Sequence, residues 1–486
     1  MKLSTKHWLI LVVSIAMLAW LVFSPKFYAT PDEHNYYRTA WDISHNISPK
    51  KTDQFQALGD FPSKGFYVSK YNLGNSIWLI PGAIFNLNLT FFESLFAYLL
   101  IIILCYYIIK EYKLPKFWLL LIILFPPLIY FSRTILSEVP AAVFFTLSYW
   151  CLLKYKKNNV IKLLLGASLG FLTLIRYNFG IWAILILLQL LIDYHKNKTP
   201  FRIVIKEILI IFIGALPFLA FFFFINSSLY GGIITSGYRL SGEEVVNFSL
   251  LISRLPAYLI LLNIVYPGQL IIGYFSKQAY SKLFFMFIAY LILVYSVAGG
   301  FLFQGKYTDI ISGVRFFIPI LPIAIIHYAS VLNSFTRKID FTILKKLIAV
   351  FTIILLGFLI LLNYQHYQFI KEKINIFNTL QLYKTSAAIF VGDQEDFNYF
   401  GEELVTSNYP YNSGFININD YKSLISDNNS MKILTGHSIY FLEISYNSRS
   451  DRPTSELKSY VDSLISNHKV KLISTTNPLI YQYEKL

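Results

Sequence analysis

Runs of about twenty apolar residues recur along this chain, and each is long enough to cross a bilayer as a helix. They include Trp8–Phe23, Phe117–Phe131, Ile208–Ile225, Leu283–Phe303, Phe316–Leu332 and Ile348–Leu362. The chain has 486 residues, of which 55% are hydrophobic and only 14% charged, with a mean hydropathy of +0.52. Soluble domains run nearer a quarter charged, so the length does not imply several soluble domains. The expected fold class is an α-helical polytopic membrane protein.

A net charge of +15 would suit a nucleic-acid binder, but its distribution argues otherwise. Basic residues gather in short loops between apolar runs, at Lys110/Lys113/Lys116, Lys154/Lys156/Lys157/Lys162, Lys196/Lys198/Arg202/Lys206, Lys277/Lys282 and Arg337/Lys338/Lys345/Lys346. That is the positive-inside pattern. It predicts a cytoplasmic N-terminus and about eleven spans. A loop over residues 24–71 lies outside after the first span, which reads as an uncleaved helix rather than a signal peptide. Pro81-Gly82 breaks the Asn72–Leu89 stretch into something shorter than a span. The region 1–362 forms the membrane part. Residues 363–486, rich in Asn, Ser, Asp and Tyr, form a small α/β domain outside. Strands are predicted at Ala388–Val391, Lys432–Leu434, Ile439–Ile444 and Lys469–Ser474, and a helix at Thr454–Asn467. Cys105 and Cys151 sit inside apolar runs and read as small hydrophobes rather than a disulfide framework.

Polar chemistry collects at the outer ends of the spans. The first sign is Asp32-Glu33, in Thr30-Pro31-Asp32-Glu33-His34, just after the first apolar run. Ionisable groups close to a span usually have a use. A carboxylate near a low-dielectric surface can serve as a general base, and a second one beside it can help hold a divalent cation. The same string is also an ordinary helix start, with Pro at the first position and acids in the first turn; the two readings are compatible. Arg133-Thr134-Ile135-Leu136-Ser137-Glu138 occupies a short outer turn. There Glu138 is expected to face the same cavity as Asp32, and Arg133 to pair a carboxylate or phosphate. Lys70, ahead of Tyr71-Asn72-Leu73, and Arg315, ahead of Pro319 and Pro322, are candidate lipid-phosphate ligands. Arg176, Arg239, Arg254 and Lys306 lie at outer positions too. The scattered histidines give no zinc pattern, and neither a Gly-x-Gly-x-x-Gly nor a Walker loop is present.

In this order and topology, the motifs resemble the GT-C superfamily of membrane glycosyltransferases. The nearest patterns are the protein O-mannosyltransferases and the lipid A aminoarabinose transferase. Asp32-Glu33 resembles the acidic pair of their first outer loop, although His34 follows directly where the mannosyltransferases place His two positions later. Arg133 to Glu138 is similar to an Arg-x-Ile-Leu-Leu-Asp string, with Glu for Asp. Lys70-Tyr71-Asn72-Leu73 resembles a Lys-Pro-Pro-Leu element without its prolines, and Ser69 stands where a metal-holding glutamate would be. Arg315 with Pro319 and Pro322 resembles the opening of a late span.

The resemblance implies a polyprenyl-phosphate sugar donor and an envelope glycan, lipid or protein acceptor. Asp32, Glu33 and Glu138 would be catalytic. Lys70, Arg133, Arg315, Arg239, His34 and Tyr71 would bind the phosphate or sugar. A divalent cation is the one candidate cofactor, and Asp32, Glu33 and Glu138 would be the residues to hold it. The rival readings are a ligase or polymerase of polyprenyl-linked glycans, whose polar residues cluster in late loops, and a lipid or sugar transporter, which favours internal repeats and mid-membrane charges.

Overall fold

The computed structural model describes residues 5–48, 50, 60–63, 66–240, 246–298, 313–336, 341–383, 388–392, 414–419, 421–422, 438–443, 456–475 and 478–483. Lys306, Arg337, Lys338, the Lys432–Leu434 strand and the first residues of the expected Thr454 helix lie outside them. The chain divides into two compact units. One comprises Met1–Lys26, Tyr36–Thr52 and Phe61–His366; the other comprises Phe27–Asn35, Asp53–Asp60 and Tyr367–Leu486.

The first unit is helical. Among the described residues, four helical stretches are long and apolar enough to cross a membrane: Leu87–Glu111, Tyr177–Lys196, Phe201–Tyr230 and Val350–Tyr383. Shorter apolar helices include Lys6–Val22, Asn159–Ile175, Ser281–Val297 and Leu321–Phe335. Side-chain caps start two of the helices, where Asn86 accepts from the Leu89 N–H and Asn158 from the Ile161 N–H, both at 2.9 Å. These bonds satisfy amide groups that the first helical turn leaves open. The Phe201–Ile225 helix buries few residues, and Phe212, Ile213, Phe221 and Phe224 remain exposed. A surface of that kind is stable against lipid rather than water.

Two apolar stretches, of which Phe117–Phe131 is an expected span, are not continuous helices. Phe117–Phe131 is split into Lys116–Leu119, Leu120–Ile123 and Pro126–Phe131, with Phe125 extended between the last two. The cause is Pro126-Pro127, which supplies no N–H groups and pushes the preceding residue out of the helical region. The carbonyls this leaves open find tyrosine hydroxyls: Tyr98 donates to the Ile123 oxygen at 2.5 Å and Tyr266 to the Leu121 oxygen at 2.6 Å. The second break separates Leu251–Ile264 from Gln269–Tyr274, at Gly268 in the left-handed region with φ of 72°. The Asn263 side chain bridges it, accepting from the Leu270 and Ile271 amides at 3.0 and 3.3 Å. The apolar run expected to end at Leu362 continues as one helix, Phe341–Tyr383.

A close helix crossing joins Asn159–Ile175 to Phe201–Ile225 through small residues. A Cβ on Gly166 would lie 1.8 Å from the Ile211 carbonyl oxygen, and one on Gly214 would lie 2.2 Å from the Leu163 oxygen. Small residues are what let helix backbones approach this closely in a membrane.

The second unit carries a five-stranded sheet. Its strands follow β1 (Asp60–Ser63) and β2 (Phe66–Ser69), which form a separate two-stranded ribbon. They are β3 (Ala388–Gly392), β4 (Gly414–Asn417), β5 (Ser438–Glu443), β6 (Val470–Ser474) and β7 (Leu479–Tyr483), in the order β4-β3-β5-β7-β6. The β3 strand pairs in parallel with β4 and β5, whereas β7 is antiparallel to β5 and β6. Leu457, Val461 and Leu464 of the Glu456–Ser466 helix pack with Ile389, Val391 and Phe441 of the sheet. The strands expected near Ala388, Ile439 and Lys469 are present. The β4 and β7 strands are additions to those expected from the sequence.

The glycine crossing yields a stability test. Gly166→Leu should lower the melting temperature in detergent, with an overpacking cost of about 1–3 kcal/mol or more. Gly357 lies in the long helix, and a Cβ added to it would meet no atom within 4 Å. Gly357→Ala should be neutral or stabilising by up to ~1 kcal/mol in the same melt.

Candidate active site

The acidic pair belongs to the second unit, and its two members are used differently. Glu33 is fully buried. Its Oε2 accepts from the Ala29 and Thr30 amides at 2.7 and 2.8 Å and from the Thr30 hydroxyl at 3.3 Å. The helix spans Pro31–Ser44, with Thr30 before it and Glu33 in its first turn. The bond from the Thr30 amide to Glu33 is one half of a capping box. Glu33 thus performs the helix-start role, while Asp32 is only partly buried. The segment is anchored by Lys373, which donates to the Ala29 carbonyl at 2.8 Å, and by Phe27 against Phe377 at 5.4 Å between ring centroids. His34 packs edge-on against Tyr28.

The first unit holds a polar cluster made by three helix ends. Glu138 opens the Glu138–Lys154 helix and is 1% exposed. Arg176 follows the Asn159–Ile175 helix in an extended conformation, with its own amide bonded to the Leu172 carbonyl. Arg315 is helical, at the end of the stretch 313–315 and ahead of the turn 316–320 that leads into the Leu321–Thr336 helix. Arg176 Nη2 lies 2.6 Å and Arg315 Nε 3.3 Å from the same Glu138 Oε1. Arg176 Nε also donates to the Ser137 hydroxyl at 3.1 Å. Tyr295, Tyr36 and Tyr238 lie within electrostatic range of Arg176. Asn178 donates to the Tyr295 hydroxyl at 2.7 Å, and Tyr295 stacks on Phe316 at 4.8 Å. A carboxylate this deeply buried requires opposite charge to remain in place.

Lys70 and Tyr71 extend the cluster along a row of tyrosines. Lys70 Nζ sits 5.3 Å from the Tyr71 ring centroid. Tyr71 lies 5.0 Å from Tyr36 and 5.9 Å from Tyr238, and Tyr238 lies 6.3 Å from Tyr177. The absence of a side chain on Gly237 sets this contact, because a Cβ there would lie 2.3 Å from the Lys70 carbonyl oxygen. The backbone amide of Arg239 is tied to the Ser236 hydroxyl, and the side chain is not fully buried.

Arg133 departs from its expected role of pairing a carboxylate or phosphate. It is fully buried, and its guanidinium donates to the Phe23 carbonyl, the Asn363 side-chain oxygen and His366 Nδ1. All three nitrogens serve protein acceptors, so the side chain joins helices instead of offering a fork to an anion. The cations that meet Glu138 are Arg176 and Arg315. In the sequence Arg176 is one of several outer charges, and its signal is the need of a buried Glu138 for a countercharge. Ser137, Tyr36, Tyr238, Tyr295 and Asn178 carry no individual signal there.

Among the described residues, no group of three or more His, Cys, Asp or Glu side chains is arranged to hold a metal ion. Glu33 Oε2 is committed to backbone amides and Glu138 Oε1 to two guanidiniums.

The fold is similar to that of ArnT from Cupriavidus metallidurans. The form bound to undecaprenyl phosphate matches with a TM-score of 0.58 at 10% identity, covering 99% of this chain and 98% of that one. The apo form matches with a TM-score of 0.58 at 11% identity, covering 98% of each. ArnT is the lipid A aminoarabinose transferase of the GT-C family, so the resemblance carried by short motifs extends to the fold of the whole chain. No protein-family model matches the sequence, and neither does any curated protein.

The division of labour within the acidic pair can be tested by stability alone. Glu33→Ala should destabilise the protein by about 1–2 kcal/mol, as loss of a helix cap does. Glu33→Gln, which keeps an acceptor oxygen, should recover part of that loss in a thermal melt.

Proposed function

We propose that this chain is a membrane glycosyltransferase that moves a sugar from a polyprenyl-phosphate donor to a hydroxyl of a cell-envelope acceptor. The observation that carries the reading is the likeness of fold, over almost the whole of both chains, to ArnT crystallised with undecaprenyl phosphate. The reaction is assigned to the outer face of the membrane, where the positive-inside pattern puts Asp32, Lys70, Glu138, Arg176 and Arg315.

In this reading Asp32 is the general base. It takes the proton of the acceptor hydroxyl as that oxygen forms a bond to the anomeric carbon. The bond from that carbon to the phosphate oxygen breaks, and the polyprenyl phosphate leaves with the electron pair. Negative charge develops on the leaving oxygen, and cations already in place stabilise it without reorganisation. Lys70 supplies a point charge and Arg315 a planar fork for that purpose. Glu138 acts by holding Arg176 and Arg315, so it is a positioning residue. Glu33 sets the helix that presents Asp32. Arg133 is not retained as a ligand, because its donors serve protein groups.

The test uses cells lacking the gene, complemented with the wild type or with Asp32→Asn. Mass analysis of envelope glycans should show one sugar modification restored by the wild type and lost in the variant. Its rate should fall by about 10²–10⁴-fold with comparable amounts of folded protein. Full restoration by Asp32→Asn would remove the base assignment.

A further inference from the structure

The helices Asn159–Ile175, Gly180–Lys196 and Phe201–Ile225, all in the first unit, enclose an apolar groove that the proposed reaction does not use. The first and third are pressed together at Gly166 and Gly214, and a Cβ on Gly170 would lie 2.9 Å from the Ala215 carbonyl oxygen. The second helix lines the other side with Ala183 and Leu187. Between them lies a volume of about 330 Å³, walled also by Ile205, Leu209, Phe212 and Leu219. Thr173 brings a hydroxyl to the wall, but it already donates to the Leu169 carbonyl at 2.9 Å. These side chains offer contact to hydrocarbon and no partner to a sugar, a peptide or a phosphate. Ile205 and Leu219 stand roughly 21 Å apart along the helix at 1.5 Å per residue, so the groove is long enough for an extended acyl chain. Leu209 and Phe212 are 52% and 50% exposed, so it is open to the surrounding lipid.

One end of the groove is strongly basic. Lys196, Lys198, Arg202 and Lys206 are exposed where the second helix passes into the third. Arg202 lies seven residues before Leu209 and Lys206 three, spacings that put both cations on the Leu209 side of the helix. The carboxylates nearby are engaged elsewhere. Glu207 accepts from Lys162 at 2.8 Å and from the Tyr194 hydroxyl, and Asp193 accepts from Gln189 at 2.8 Å. The positive-inside pattern assigns this end to the cytoplasm. Basic residues between helices at that face are suited to anionic lipid headgroups. We propose that the groove is a binding site for an anionic phospholipid of the cytoplasmic leaflet, separate from any donor site. One acyl chain lies between the Gly180–Lys196 and Phe201–Ile225 helices, and the phosphate sits against Arg202 and Lys206. The inference does not depend on the transferase reading.

Photo-crosslinking tests it. The full-length protein, delipidated in detergent, is incubated with phosphatidylglycerol carrying a diazirine on one acyl chain, irradiated and digested for peptide mass analysis. Label should fall on residues 183–187 and 205–219. Unlabelled phosphatidylglycerol should compete at least about tenfold better than phosphatidylcholine with the same chains. Arg202→Gln combined with Lys206→Gln, both at exposed positions, should remove most of that preference with the amount of folded protein unchanged. Label confined to other segments, or equal competition by phosphatidylcholine, overturns the proposal. A preference that survives the double substitution overturns the headgroup assignment. Displacement by polyprenyl phosphate ahead of phosphatidylglycerol gives the groove to a polyprenyl tail and overturns the proposal as well. The wild-type competition stands even if the double variant does not fold.

Discussion

A backbone amide or carbonyl inside hydrocarbon has no water to turn to, and the architecture follows from that constraint. Unbroken helices meet it within themselves. Where proline or a left-handed glycine interrupts a helix, side chains from elsewhere must complete the missing bonds. Tyr98 and Tyr266 do so for Ile123 and Leu121, and Asn263 does so across the Gly268 kink. Small residues serve a related purpose. Gly166 and Gly214 allow two helix backbones to approach until each fills space the other would leave.

The same reasoning explains the fate of the charged groups. Glu138 lies deep enough that only another charge can keep it there, and two guanidiniums from different helix ends provide it. Arg133 is fully buried too, yet it meets a carbonyl, an amide oxygen and an imidazole. Arginine suits both places because its planar fork serves several acceptors at once. Two arginines that look alike in the sequence thus have different roles. One helps assemble a charged site, and the other fastens helices.

How much of this is legible in the sequence depends on the range of the interactions. Hydropathy runs are local, and they reveal the fold class and most helices. Alternating patterns are local too, and they reveal β3, β5 and β6. The breaks at Pro126-Pro127 and at Gly268 are written in the sequence, but a hydropathy run continues through them. The helix beyond Leu362 escapes a hydropathy reading because its later turns are polar and amphipathic rather than apolar. Thr30-Pro31-Asp32-Glu33 carries both of its readings in four letters, and only the geometry assigns the cap to Glu33. The partners of Glu138 are the hardest to read: Arg133 is five residues away in sequence, whereas Arg176 is 38 away and Arg315 farther still. Proximity along the chain favours the wrong one.

The broken Phe117–Phe131 segment also has a consequence for biosynthesis. The hydroxyl that closes the Ile123 carbonyl comes from Tyr98, 25 residues earlier, and has already been made when the break emerges. The donor for Leu121 is Tyr266, 145 residues later. At a synthesis rate of ~5–20 residues per second, that carbonyl waits on the order of ten seconds for its partner. During that interval the segment is better housed beside water or the insertion machinery than in open lipid, so its final release into the bilayer is tied to the arrival of a helix made much later.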